Sequence, residues 1–126
     1  GTGVDALWGE AGNDTITAGV GDDKLVGGNG ADVLTGGAGV DELYGSGGSG
    51  GDLAVDRFVF TANWGTDFVF DFEVGRDRLD LSAIGTNFAA LTLTNTADGH
   101  CYIRFGVNLI AVANMAGAIT SSDFIF

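Results

Sequence analysis

Five aspartates, Asp5, Asp14, Asp23, Asp32 and Asp41, stand nine residues apart. Each lies two places after a glycine (Gly3, Gly12, Gly21, Gly30, Gly39) and two places before an aliphatic side chain (Leu7, Ile16, Leu25, Leu34, Leu43). Carboxylates repeated at a fixed offset beside glycine turns bring oxygen ligands together, the carboxylates adding to main-chain carbonyls. A flexible ring of such oxygens suits Ca²⁺, a hard cation that takes about 6–8 of them. Zn²⁺ would call for Cys or His, which the repeats lack.

The elements that must position these groups follow from the same period. The copies are GEAGNDTIT from Gly9, AGVGDDKLV from Ala18, GGNGADVLT from Gly27 and GGAGVDELY from Gly36, with a truncated GTGVDALW at the start. One aliphatic residue in nine makes neither an amphipathic helix nor an alternating hairpin. It does make a very short strand whose single inward side chain stacks on its copies in neighbouring coils. The six residues between strands must reverse direction, and glycine supplies turn conformations that a Cβ resists. Ordering so many glycines is costly, so a compensating source of free energy is required.

Composition bounds the rest. The chain has 126 residues, with Asp+Glu 17 against Lys+Arg 5 and a formal charge of -12. Nucleic acid and anionic membrane are therefore poor partners, and a cationic ligand is the natural one. No apolar run approaches a membrane span, and nothing resembles a signal peptide. The chain opens at Gly1, inside a repeat, and is expected to be the tail end of a longer protein. One cysteine excludes an internal disulfide framework. Composition changes near Asp52: 17 of the 23 glycines precede it, whereas all nine phenylalanines follow Arg57. Two regions are expected, a repeat region over 1–55 and a second β region over 56–126. The latter reads as short strands (RFVF, DFVFDF, RLDL, LTLT, CYIRF, LIAVA) between turn residues.

The pattern G-G-x-G-x-D-x-U-x resembles the RTX calcium-binding repeat. The resemblance implies an all-β fold, a right-handed parallel β-roll in which two nonapeptides form one coil, followed by a small β-sandwich-like C-terminal cap. It implies that turns two repeats apart share an ion: Asp5 with Asp23, Asp14 with Asp32, Asp23 with Asp41. Carbonyls of Gly3, Gly12, Gly19, Gly21, Gly28, Gly30, Gly37 and Gly39 would assist, and Asn13 and Asp22 fit the family pattern. Three to five Ca²⁺ ions are implied. Glu10 and Ala18 each replace one glycine of a pair. At the end of the roll, over GSGGSGGDLAVD, Asp52 and Asp56 compete to close the last site, and a flexible connector is the alternative there.

GTDFVFDFEVGRDRLDLSAIG and the closing SSDFIF resemble the region that follows RTX repeats in type I secreted bacterial proteins. The implied partner is a type I ABC transporter during export, and the implied location is extracellular, as a monomeric module without membrane insertion. The expected role is Ca²⁺-dependent folding and secretion, not catalysis. An extracellular polysaccharide is a second candidate partner, for an adhesive or alginate-epimerase-like module. A third reading makes the segment the C-terminal part of a secreted metalloprotease or lipase. Neither H-E-x-x-H nor G-x-S-x-G occurs, so an active site would lie upstream. Asp67 and Asp77 are read as turn residues, with completion of a further Ca²⁺ site the alternative. His100 and Cys101 are adjacent strand residues on opposite faces, read as structural. Trp8 and Tyr44 read as outward aromatics, with stacking on a sugar ring the alternative. Gly45, Gly47 and Gly50 form a G-x-G-x-x-G without the flanking strand and helix of a nucleotide site.

Overall fold

The computed structural model describes residues 1–47, 52–113 and 117–126. Gly50 and most of the GSGGSGG connector lie outside the described residues. The repeats give strands β1 (Ala6–Ala11), β2 (Thr15–Val20), β3 (Lys24–Asn29), β4 (Val33–Ala38) and β5 (Glu42–Tyr44). The second region adds β6 (Arg57–Val59), β7 (Thr66–Phe70), β8 (Arg78–Asp80), β9 (Thr92–Asn95), β10 (Cys101–Phe105), β11 (Asn108–Val112) and β12 (Phe124–Ile125). They form two sheets, ordered β1-β3-β5-β7-β11-β10-β9 and β12-β8-β6-β4-β2. From β1 through β8 successive strands alternate between the sheets, and every pair among them is parallel. This is a parallel β-roll with one coil per two nonapeptides.

The single aliphatic residue of each repeat builds the core. In one sheet the register aligns Leu7, Leu25, Leu43, Val69, Val112 and Cys101 in a column. In the other it aligns Ile16, Leu34, Phe58, Leu79 and Phe124. Both columns are buried from the second coil onward, while Leu7 and Ile16 on the outermost coil are half-buried. Each fully buried side chain of this size contributes about 1.5–3 kcal/mol. A repeat that buries one such residue in nine cannot offset its own ordering entropy this way.

Both sheets run through the expected junction at residues 55 and 56. β6 pairs with β4, and β7 with β5, in the same parallel register as the repeats. Antiparallel pairing begins only at β11, β10 and β9. Buried Trp64 ties the coils to this end: its indole Nε1–H donates to the Leu109 carbonyl (3.3 Å), and its ring packs edge-on against Phe60. Cys101 is fully buried at the end of its column, and burial pushes its thiol pKa up. His100 lies 3.5 Å from exposed Asp98.

Turns of successive coils stack backbone on backbone, which is why the fourth place of the repeat is glycine. Gly39 has φ 148, and a Cβ there would meet the Gly21 carbonyl oxygen at 2.0 Å. Gly39→Ala is therefore expected to destabilise the folded protein by at least about 2 kcal/mol, read from urea unfolding. Gly75, with φ 82 but open space around it, is the comparison. Gly75→Ala should cost only the backbone strain. Glu10 shows the converse. It takes φ 78 at the second place of its repeat, on the outermost coil, where a side chain has room.

Candidate metal centre

The aspartates form two ladders, one along each edge of the roll. On one edge the Asp5 N–H donates to Asp23 Oδ1 (2.8 Å), Asp23 N–H to Asp41 Oδ1 (2.9 Å) and Asp41 N–H to Asp67 Oδ1 (3.2 Å). On the other, Asp14 N–H donates to Asp32 Oδ1 (2.7 Å), Asp32 N–H to Asp56 Oδ1 (2.9 Å) and Asp56 N–H to Asp77 Oδ1 (3.0 Å). The main chain returns the clasp. The residue after each upper aspartate donates its N–H to the carbonyl of the lower one, as from Lys24 to Asp5 and from Val33 to Asp14. The carboxylates of Asp23, Asp32, Asp41, Asp56, Asp67 and Asp77 are thus each held through Oδ1, while Asp5 and Asp14 open the ladders.

The other oxygen is left over. Oδ2 of Asp14, Asp23, Asp32 and Asp41 is buried with no hydrogen-bond partner. Leaving a buried carboxylate oxygen unsatisfied costs several kcal/mol unless a cation or donor meets it. Among the described residues no Lys or Arg is paired with these ladders; the arginine ion pairs are Arg57–Asp80 and Arg76–Glu73. The orphan atoms of Asp14, Asp32 and Asp41 each lie over the first glycine of their own repeat (Gly9, Gly27, Gly36); in the repeat of Asp23 that place is Ala18. A Cβ on Gly27 would lie 2.3 Å from Asp32 Oδ2 and 2.4 Å from the Gly45 carbonyl oxygen. On Gly9 it would lie 2.6 Å from Asp14 Oδ2 and 2.5 Å from the Gly27 carbonyl oxygen. Buried anionic oxygens stacked coil over coil and flanked by carbonyls fit a hard divalent cation. No group of three or more His, Cys, Asp or Glu side chains converges among the described residues. That fits rungs built from carboxylate pairs and main-chain oxygen.

The electrostatics say the same. Burial raises the carboxyl pKa of Asp32, partly offset by the Asp14 N–H, with the Asp14 and Asp52 charges raising it further. Burial likewise raises Asp41, against the Asp23 N–H. Asp56 is pushed up to about 7, chiefly by burial, and Asp67 to about 8 by burial and the Asp41 charge. Asp77 is raised to about 6 by burial, although it accepts two main-chain N–H groups. Without a cation these edges hold their negative charge at high cost.

The expected residues fall into four groups. Asp5, Asp14, Asp23, Asp32 and Asp41 stand on the ladders, in the pairs that the nonapeptide period demands. Asn13 and Asp22 clasp the next coil one place earlier, accepting from Ala31 N–H and Val40 N–H (both 2.9 Å). Gly3, Gly12, Gly19, Gly21, Gly28, Gly30, Gly37 and Gly39 all have positive φ in the stacked turns. Asp52 stands off the ladder, where its carboxylate accepts Gly30 N–H (2.6 Å) and Ala54 N–H (3.0 Å). Asp56 takes the rung instead, because register follows the inward side chain two places on, here Phe58, and not the glycine count. Asp67 and Asp77, for which the sequence leaves a turn role and a further site both open, extend the same ladders. A signal for them exists: Gly65-Thr66-Asp67-Phe68-Val69 and Gly75-Arg76-Asp77-Arg78-Leu79 keep G-x-D-x-U. Longer excursions hide it, since the rung spacing of 18 becomes 26 and 21.

Parallel coils clasped through aspartate ladders define a metal-binding β-roll. Residues 1–34 and 17–52 match the family profile of the RTX calcium-binding nonapeptide repeat, in four copies. Residues 1–52, the repeat region, thus carry RTX calcium-binding nonapeptide repeats. Similar solved structures include the AlgE6R2 subunit of the Azotobacter vinelandii mannuronan C5-epimerase, 28% identical with TM-score 0.72, over 98% of this chain and 88% of that one. The AlgE6R3 subunit of the same epimerase is 25% identical with TM-score 0.61, over 100% of this chain and 80% of that one. The extracellular lipase LipA of Serratia marcescens shares the fold at 24% identity and TM-score 0.71. All of this chain aligns there, but it spans only 20% of the lipase chain. No curated protein sequence matches.

Proposed function

We propose that the chain is a non-catalytic, Ca²⁺-dependent folding module of an exported protein, disordered where Ca²⁺ is scarce and ordered outside the cell. The observation that carries this reading is the set of four buried, partnerless Oδ2 atoms on Asp14, Asp23, Asp32 and Asp41. Bound Ca²⁺ would supply the missing countercharge and link adjacent coils. The chain supplies the rest: carboxylates paired coil to coil, glycine-rich stacked turns, and a core too thin to hold the coils alone. Binding and folding then become one event. Extracellular modules bind Ca²⁺ at about 10⁻⁴–10⁻³ M, which would keep this one unfolded before export.

The C-terminus supports the same order of events. Phe124 and Ile125 pair with β8, and Asp123 is buried, its carboxylate accepting Gly75 N–H and Thr120 N–H (both 2.8 Å). A secretion signal in SSDFIF would be readable by a type I ABC transporter only while the module is unfolded. Far-UV circular dichroism during a Ca²⁺ titration tests the reading. A cooperative gain of β structure at sub-millimolar to millimolar Ca²⁺ is expected, and an unchanged β spectrum in chelator would sink it.

A second reading rests on the likeness to the epimerase subunits and on the outer face of β1, β3, β5 and β7. There Trp8, Val26, Tyr44 and Phe70 are in register, Tyr44 stacks on Phe70 (4.7 Å) and Lys24 Nζ lies over the Tyr44 ring (4.8 Å). This face would accept a polysaccharide by ring stacking. Calorimetric titration with polyuronate in Ca²⁺ tests it, and no heat of binding would exclude it.

A further inference from the structure

We propose that the cation array runs past the nonapeptide repeats and takes in two further sites, one between Asp32 and Asp56 and one between Asp41 and Asp67. The proposal rests on the reading that the repeat aspartates hold Ca²⁺, and it extends that chemistry to residues no repeat contains.

Each new rung has the two marks of the repeat rungs. The first is an unsatisfied buried oxygen on the repeat aspartate, shared with the rung before it: Asp32 is 1% exposed and Asp41 is fully buried, and Oδ2 of each lacks a partner. The second is repeat-like packing around the partner aspartate. A Cβ on Gly45 would lie 2.3 Å from Asp56 Oδ2, just as one on Gly27 would lie 2.3 Å from Asp32 Oδ2. On the other edge Gly65 stacks on Gly39 as Gly39 does on Gly21. A Cβ on Gly65 would meet the Gly39 carbonyl oxygen at 2.2 Å, against 2.0 Å for the repeat pair. Thr66 N–H donates to the Gly39 carbonyl (3.0 Å), which closes the turn beside Asp67.

The array also has a built end. Asp77 accepts Asp56 N–H through Oδ1 and Glu73 N–H (2.8 Å) through Oδ2. The amide of Glu73 thus meets the oxygen that is orphaned in the repeats, and the Asp56–Asp77 rung needs no ion. Five aspartate pairs remain, Asp5–Asp23, Asp14–Asp32, Asp23–Asp41, Asp32–Asp56 and Asp41–Asp67. The last two clamp the repeats to the strands that carry the larger core, so ordering of the C-terminal sheets is coupled to Ca²⁺ even though their sequence is not repetitive.

Native mass spectrometry of the whole chain in Ca²⁺ tests this, with Asp56→Asn, Asp67→Asn and Asp77→Asn as variants. Asparagine keeps an oxygen for the ladder hydrogen bond and removes the charge. Five ions are expected on the unmodified chain, one fewer on each of Asp56→Asn and Asp67→Asn, and no change on Asp77→Asn. Three ions on the unmodified chain, with Asp56→Asn and Asp67→Asn binding as many, would overturn the extension and leave the repeat sites standing. No ions at all would instead remove the repeat reading beneath it. Should a variant fail to fold, the count on the unmodified chain decides between five and three.

Discussion

Asp23→Ala is expected to raise the Ca²⁺ concentration at the folding midpoint at least about tenfold, and to do so well beyond the effect of Asp5→Ala. Asp23 stands mid-ladder. Its Oδ1 accepts the Asp5 N–H and its own N–H donates to Asp41 Oδ1, so its carboxylate faces two rungs. Asp5 ends its ladder on the outermost coil and belongs to one. Each lost charge-assisted ligand is worth about 1.5–3 kcal/mol, or roughly ten- to a hundredfold in affinity. Two rungs weakened together also break the chain of coils at its centre, so the titration should become less cooperative as well as weaker. Circular dichroism of both variants over the same Ca²⁺ range makes the comparison. Equal midpoints for Asp23→Ala and Asp5→Ala would contradict the ladder.

Proton concentration should act in opposite directions with and without the ion. In chelator, where the chain is disordered near pH 8, acidification is expected to shift it toward the folded state. Asp56, Asp67 and Asp77 are raised from 3.8 to about 7, about 8 and about 6. Folded-state pKa values above the unfolded one mean that the folded chain binds more protons. The stabilisation is complete below the unfolded pKa and is lost as pH rises through the window of about 6 to 8. Between about pH 8 and pH 5 the gain should be at least about 2 kcal/mol. In millimolar Ca²⁺ the sign reverses, because protons compete with the ion for the same oxygens. Far-UV circular dichroism in chelator at the two pH values reads the first shift, and urea midpoints in Ca²⁺ at the same pH values read the second. No shift toward the folded state on acidification in chelator would show that these carboxylates are not buried as described.

Much of this molecule is legible in its sequence where the period is strict. Gly3 to Leu43 carry the turn, the ligand and the core residue at fixed offsets, so strand, coil and rung all follow from counting. The count fails where loops lengthen. Between Asp32 and Asp56 the spacing grows to 24, and the glycine-rich connector points to Asp52, whereas register is set by Phe58 entering the column above Leu34. Burial, not glycine, keeps the coils in phase there. The sheets also continue through a sharp change of composition, because G-x-D-x-U persists at Asp67 and Asp77 after the glycine pairs have gone. Composition marked a boundary that the hydrogen bonding ignores. Nor could spacing show that Asp77 and Asp123 use both oxygens on amides. That depends on which main-chain N–H groups, those of Glu73, Gly75 and Thr120, the cap brings within reach.

The most direct test of the central claim is anomalous diffraction from crystals of the chain grown in Ca²⁺. Ions are expected about 2.3–2.6 Å from Oδ2 of Asp14, Asp23, Asp32 and Asp41, the atoms that protein groups leave unpaired. Anomalous peaks elsewhere, with those four oxygens meeting only water or protein donors, would contradict the account.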